Sequence, residues 1–416
     1  MFDLEENLRP ERAILCSVDT GDFDAEVSID ELEELAHTAG AEVVAKVIQP
    51  RPAPDAALFL GIGKLDEIME FVEFPKIDLL IFDDELTPSQ QRNIEKYTGK
   101  TVIDRTTLIL DIFAQRARSK EGKLQVELAQ LQYRLPRLLG QGTSLSRLGG
   151  GIGTRGPGES KLESDRRHIH RRIDAIKAEL REVEKRRNLQ RRRRAKDGVQ
   201  TVVIVGYTNA GKSTLMNNLT EAGVLAENKL FATLDPTSRA LTLPSGREVM
   251  LIDTVGLVRR LPHNLVEAFK STLEEAASAD VILNVCDASD PCSNEHLRVT
   301  NELLSELGAS GKPVVNVMNK CDQIYDLNDI PSIQNTVYIS ALRGNGIDKL
   351  LTAIENALPK DRVRRTFLFP YNDLKPASIV RDDGNVFSEE YVDEGLKIDA
   401  LTSIIVANKL EKYILE

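Results

Sequence analysis

Apolar and polar positions alternate along residues 1–103 in two rhythms, short β-branched runs and helical spacings. The runs at Arg12–Val18, Glu42–Ile48, Asp78–Phe82 and Thr101–Ile103 predict strands. Between the first two, Ser28 predicts a helix cap, Glu31 completes a capping box and Gly40 marks the helix end. A second helix is predicted after Gly61-Ile62-Gly63-Lys64 and runs to Val72. A third starts at Thr87, with Pro88 in the first helical position. Strands and helices taking turns predict a small α/β domain with a largely parallel sheet. The glycines at 61 and 63 lack full phosphate-loop spacing, and a turn entering a helix fits them better.

The rhythm changes over residues 104–197, which are helical in pattern and poor in β-branched residues. Leu124, Leu128, Leu131 and Leu135 form one narrow apolar seam, and Ile169, Ile173, Ile176, Leu180 and Val183 form another. Two such helices predict an antiparallel hairpin, the second arm running from Lys161 to Lys196 for roughly 54 Å. The loop between them, Gly149 to Glu159, carries Gly150, Gly151, Gly153 and Gly156 around Arg155. Glycine lets a backbone approach a ligand closely, and arginine suits phosphate, so this tip is a candidate RNA contact, together with Arg166 and Arg167. Arg191 to Arg194 either extends that basic surface or ends the helix beside the next domain.

Strand-like runs return over residues 198–359. Thr201–Val205 reads as a buried parallel strand, and after it Gly206-Tyr207-Thr208-Asn209-Ala210-Gly211-Lys212-Ser213 fits G-x-x-x-x-G-K-[ST]. Thr214 then opens a helix. Such a loop wraps a phosphate with inward N–H groups at a helix N-terminus. Lys212 would reach the β- and γ-phosphates and Ser213 would hold Mg²⁺. Phe231-Ala232-Thr233-Leu234 is a turn-rich stretch, with Thr233 the chosen Mg²⁺-facing threonine and Thr237 the alternative. A hairpin turned at Pro244-Ser245-Gly246 leads to Asp253-Thr254-Val255-Gly256. There Asp253 would hold Mg²⁺, usually through water, and the Gly256 N–H would meet the γ-phosphate. Asn319-Lys320-Cys321-Asp322 follows an apolar strand, and Asp322 can accept from both the N1–H and the exocyclic amine of guanine. Ser340-Ala341 fits the last base-contacting loop. Together, in order and each after an apolar strand, these motifs predict an α/β P-loop GTPase domain with Lys212, Thr233 and Gly256 at its chemistry.

Composition adds little and excludes some classes. The net charge of −11 argues against bulk nonspecific nucleic-acid binding, so any RNA contact must be local. Four cysteines without metal-site spacing suggest reduced, packed thiols. The acidic start lacks a signal-peptide core, and no apolar run reaches membrane-spanning length. A cytoplasmic monomer with no DNA partner and no stable membrane insertion is expected.

The motif order, the Phe231–Thr237 run, the Asp253–Gly256 run and the Gly149–Glu159 loop together resemble the HflX family, in the Obg–HflX branch of P-loop GTPases. That resemblance covers nearly the whole chain. It implies an N-terminal α/β domain (1–103), a helical hairpin linker (104–197), a GTPase domain (198–359) and a small C-terminal α/β piece (360–416). It also implies binding to the large ribosomal subunit and its rRNA, and dissociation of stalled or stress-damaged ribosomes. A large-subunit assembly GTPase and a protein-partner signalling switch are the alternatives. Leu257 stands where Ras-like enzymes carry a water-orienting glutamine, so hydrolysis is expected to be slow until a partner, which the resemblance implies is the ribosome, stimulates it. Asn209 leaves K⁺ open as a second cation, against the simpler reading of an asparagine suited to a tight loop. In the tail, Thr366–Phe369 predicts a strand, 389–398 a hairpin, and Ile404–Leu415 a helix.

Overall fold

A computed structural model describes residues 9–71, 73–138, 161–196, 199–220, 231, 237–260, 275–306, 308–309, 311–324, 335–359 and 362–415. Three sheets organise them. The first is fully parallel, in the order β2 (Glu42–Pro50), β1 (Arg12–Asp19), β3 (Leu79–Phe82), β4 (Thr101–Asp104). Strand alternation splits its core. Ala13, Leu15 and Ile81 face one side, whereas Ile14, Cys16, Leu80 and Phe82 face the other. On the first side lies α1 (Ala25–Ala39); α2 (Ile62–Glu70) and α3 (Pro88–Thr98) complete the crossovers. The cap of α3 is Thr87, whose side chain and that of Gln90 form a reciprocal box. The start of α1 corrects the expectation from Ser28. Asp24 is the cap, accepting from Glu26 and Val27 N–H, and Ser28 lies one turn inside. A carboxylate at 24 captures the orphan amides first, which frees the Ser28 hydroxyl to donate to buried Asp83 at 2.6 Å.

Helix α4 (Arg105–Arg116) follows β4 directly and buries Ile109 and Phe113 in the first core. Helices α5 (Lys120–Leu138) and α6 (Lys161–Lys196) pair along the expected seam, where Leu124, Leu128, Ile173 and Ile176 are buried. Arg172 grips Glu127 with two 2.7 Å hydrogen bonds across that pair. Gly150, Gly151, Gly153, Arg155 and Gly156 lie outside the described residues. Arg166 and Arg167 are exposed on α6. The far end of α6 settles one alternative: Arg191 pairs with Glu275 at 2.7 Å, and Arg194 donates to Met250 Sδ. This part of the arginine run docks the helix on the second sheet.

That sheet runs β10 (Thr336–Tyr338), β9 (Val314–Asn319), β8 (Val281–Asp287), β5 (Thr201–Gly206), β7 (Glu248–Asp253), β6 (Thr237–Thr242). Only β6 is antiparallel among these described strands, through the expected hairpin. Helices α7 (Lys212–Thr220), α8 (Ser293–Glu306) and α9 (Ile347–Ala357) cover it. The tail forms an antiparallel sheet, β11 (Arg362–Phe369), β13 (Gly395–Ser403), β12 (Asn385–Val392). Two expectations change here. Helix α10 (Lys375–Asp383), missed from the sequence because only Ala377 and Val380 are buried on it, packs on β13. The expected Ile404–Leu415 helix is α11 (Ile404–Lys409) followed by a single 3₁₀ turn, Glu411–Tyr413. Tyr413 turns back there to pack on Phe369.

Candidate nucleotide-binding site

The loop between β5 and α7 needs its glycines. Gly206 has φ 145°, and a Cβ there would lie 2.0 Å from the Val285 carbonyl oxygen. Gly211 has φ 88°, and its missing Cβ leaves room for Asn319 Nδ2. Asn209 also adopts a left-handed φ, 59°, which a tight turn explains without a second cation. Lys212 is buried. Its Nζ donates to the Gly206 carbonyl at 3.0 Å and the Tyr207 carbonyl at 2.5 Å. Burial pushes its pKa down to about 8, with Asp253 opposing the shift. The ammonium is therefore poorly solvated and suited to a polyanion. Ser213 Oγ donates to Asp253 Oδ2 at 3.0 Å, so a hydroxyl and a carboxylate meet beside the lysine. That oxygen pair fits Mg²⁺, which favours hard oxygen donors and retained water.

At the end of β9, Asn319 ties three segments together. Its Nδ2 donates to Ala210 O at 2.8 Å, and its Oδ1 accepts from Ala341 N–H at 2.9 Å. Lys320, in a left-handed turn, pairs with Asp287 at 2.6 Å. Asp322 sits below the usual carboxylate range, chiefly through the Ser340 hydroxyl, with Arg343 and Lys320 adding to it. It stays ionised as an acceptor at neutral pH.

Thr254 is fully buried and donates to Ile204 O at 2.7 Å, which anchors the end of β7. Val255 is buried beyond it, and Gly256 lies against Thr208 and Lys212. Thr208 N–H donates to Leu257 O at 2.8 Å, and Leu257 N–H to Gly206 O at 3.1 Å. Phe231 is buried. Ala232, Thr233 and Leu234 lie outside the described residues, and Thr214 occupies the first turn of α7. Sequence reading missed a group beside the loop. His296 of α8 stacks on Tyr207 with centroids 3.8 Å apart, and Arg259 lies 3.2 Å from its Nε2. No motif announces that pairing; only packing of α8 against the loop creates it.

Among the described residues no three His, Cys, Asp or Glu side chains form a metal cluster. All four cysteines are free, and no described helix is long and apolar enough to cross a membrane.

Three family models match the chain in series: a GTP-binding GTPase N-terminal model over 26–114, a GTP-binding GTPase middle-region model over 116–194, and a 50S ribosome-binding GTPase model over 201–320. The GTPase HflX of Caldanaerobacter subterraneus subsp. tengcongensis is 53% identical over 406 residues, covering 97% of this chain and 94% of the relative. That of Escherichia coli is 46% identical over 366 residues, covering 86% of each. The chain belongs to the HflX family. It is a P-loop GTPase that binds GTP and GDP. A solved GTP-binding protein from Sulfolobus solfataricus in complex with GDP is 28% identical, covers 83% of this chain and 98% of its own, and has a TM-score of 0.46.

Proposed function

We propose that this GTPase acts on the large ribosomal subunit in the cytoplasm and, as a monomer, dissociates stalled or stress-damaged ribosomes. The match to a 50S ribosome-binding GTPase model supports the partner. The observation that carries partner dependence is Leu257, which is 5% exposed and packed inward. A leucine neither donates nor accepts, so nothing on that residue can orient the attacking water. Hydrolysis is slow in the free chain, and the ribosome accelerates it.

In this reading guanine sits on Asp322, Asn319, Lys320, Ser340 and Ala341. The phosphates lie along the amides of Tyr207 to Thr214, beside the Phe231–Leu234 stretch. Lys212 neutralises the β- and γ-oxygens, and Gly256 N–H donates to the γ-phosphate. Ser213 and Thr233, with Asp253 through water, would hold Mg²⁺; when bound, the ion supplies charge neutralisation on the transferred phosphoryl group. Preorganised charge is the main catalytic resource of such a site. The Gly149–Glu159 tip, Arg155 above all, is the proposed rRNA contact.

Sucrose-gradient sedimentation of whole ribosomes tests the reading. With GTP or a nonhydrolysable analogue the chain should convert whole ribosomes to subunits and travel with the large one. Intact ribosomes and unchanged GTP turnover would overturn it. Exchanging KCl for NaCl in the turnover assay tests K⁺, and an equal rate would assign Asn209 to the loop alone.

A further inference from the structure

The phosphate loop also borders a cavity that Lys212 does not reach, of about 220 Å³, lying between residues 207–210, α1 and the stretch from β8 to α8. Its walls carry Asp30, Glu31 and Glu34 of α1, Asp287 at the end of β8 and Asp290 before α8. Five carboxylates repel a phosphate, so this space is not a continuation of the nucleotide cleft. Three of the five are already compensated. Lys46 meets Asp30 at 2.7 Å, Arg105 pairs with Glu31, and Lys320 meets Asp287 at 2.6 Å. The other two are not. Glu34 makes no hydrogen bond or ion pair among the described residues, and burial first, then Asp290, Asp287 and Asp30, push its carboxyl up against the pull of Lys320. Asp290 accepts from Cys292 N–H at 2.7 Å and faces His296 Nδ1 at 3.5 Å, a ring that burial keeps neutral. A buried hydroxyl is left over at the same place. Tyr207 is 5% exposed, and its Oη has no hydrogen-bond partner among the described residues. Burial raises that phenol first, Glu31 raises it further and Arg259 lowers it, and both of these side chains are walls of the cavity. A buried hydroxyl without a partner costs free energy until something completes it.

We propose that this cavity binds a linear aliphatic diamine or polyamine. A metal ion does not fit the donors, because among the described residues no three carboxylates close on one point. Charge spread over separate walls suits ammonium groups held apart by a methylene chain. Two uncompensated carboxylates call for two of them, one on Glu34 and one on Asp290. The methylenes have an apolar path along Val27 and the flat stack of Tyr207 on His296. Tyr207 Oη accepts an ammonium N–H, which completes the orphaned hydroxyl. The cavity is smaller than the roughly 300–1,000 Å³ that drug-sized ligands fill, and a slender chain is the shape it admits. The inference needs no ribosome and is read on the free chain.

Calorimetric titration of the full-length protein in excess Mg²⁺ tests it, with putrescine and spermidine as probes and propylamine as the one-ammonium control. Both probes should saturate at one per chain. Propylamine reaches a single carboxylate and should bind at least about ten-fold more weakly. Glu34→Gln combined with Asp290→Asn keeps the shape of the walls and removes both charges. It should lower spermidine affinity at least about five-fold while GDP affinity stays unchanged. Tyr207→Phe removes only the hydroxyl and should lower it about three-fold or more. Glu390→Gln with Glu394→Gln removes the same charge from exposed positions in the tail and should change nothing. Binding that never saturates, equal affinity for propylamine, or an equal loss in the tail variant would mean that amines merely follow the net charge of −11, and overturns the proposal. An unmoved affinity in the cavity variants overturns it as well. Should the double cavity variant not fold, Glu34→Gln alone, at an exposed helix position, should still weaken spermidine about two-fold or more, and an unchanged affinity there overturns it.

Discussion

At the scale of single residues, Asp322 and His296 make separable statements. Asp322 is an ionised acceptor aligned by Ser340. Asp322→Asn turns an acceptor into a donor, so preference should move from GTP toward xanthosine triphosphate. A lost guanine contact of this kind costs about 1–3 kcal/mol. Competition binding checks it, and retained guanine preference would remove Asp322 from the base site. His296 is held neutral. Burial lowers its pKa first; Arg259 lowers it further, whereas Asp290, Glu295 and Asp287 oppose the shift. The unfolded histidine takes its proton near pH 6.5, the folded one only at lower pH. Between those two values the unfolded state binds more protons, so stability falls as pH falls, and then levels off. His296→Phe keeps the stack on Tyr207 and should abolish that slope. Melting temperatures of both proteins from about pH 7.5 to about pH 5 decide it, since parallel curves would contradict the assignment.

At the scale of elements, the α5–α6 pair is a thin structure with one seam. Ile176 is fully buried in it, beside Leu124, Leu128 and Ile173. Ile176→Ala removes contacts from both helices and should cost about 2–5 kcal/mol of the pair's stability. Hydrogen exchange along α5 and α6 should speed up while β5 to β9 keep their protection. Equal loss in the second sheet would mean that the pair and the GTPase sheet unfold as one unit. Arg191 bears on this, because its bond to Glu275 joins the base of α6 to the sheet side.

At the scale of the molecule, the proposed RNA contact precedes α6 in the chain and the GTPase sheet follows it. Arg155→Ala, or alanine at Gly150 and Gly151, should leave GTP affinity intact. Ribosome-stimulated hydrolysis or splitting should fall roughly 5- to 150-fold, the loss of one desolvated arginine contact. GTP binding, subunit binding and splitting measured on the same preparations decide it. Survival of all three would make the loop a connector.

The sequence by itself determined much of this protein. Strand periodicity announced the sheets, because alternation is set by backbone geometry whatever the partners. Gly206 and Gly211 were legible because a tight loop needs positive φ, which glycine adopts freely, and Lys212, Asp253, Asn319 and Asp322 are proposed as nucleotide ligands on their short, local spacings. Local signals also misled. Ser28 and Glu31 spell a capping box, yet one serves buried Asp83 and the other Arg105 and Arg259. The apparent helix from Ile404 broke because Tyr413 packs on Phe369. Tertiary structure alone decided that Leu257, read as a missing glutamine, is a buried knob against α1 and α4. It also decided that Arg259 and Arg260 meet acids from positions some 176 to 228 residues away. Such contacts have no spacing signature, since a carboxylate buried at a strand end is satisfied by whichever arginine the fold delivers to it.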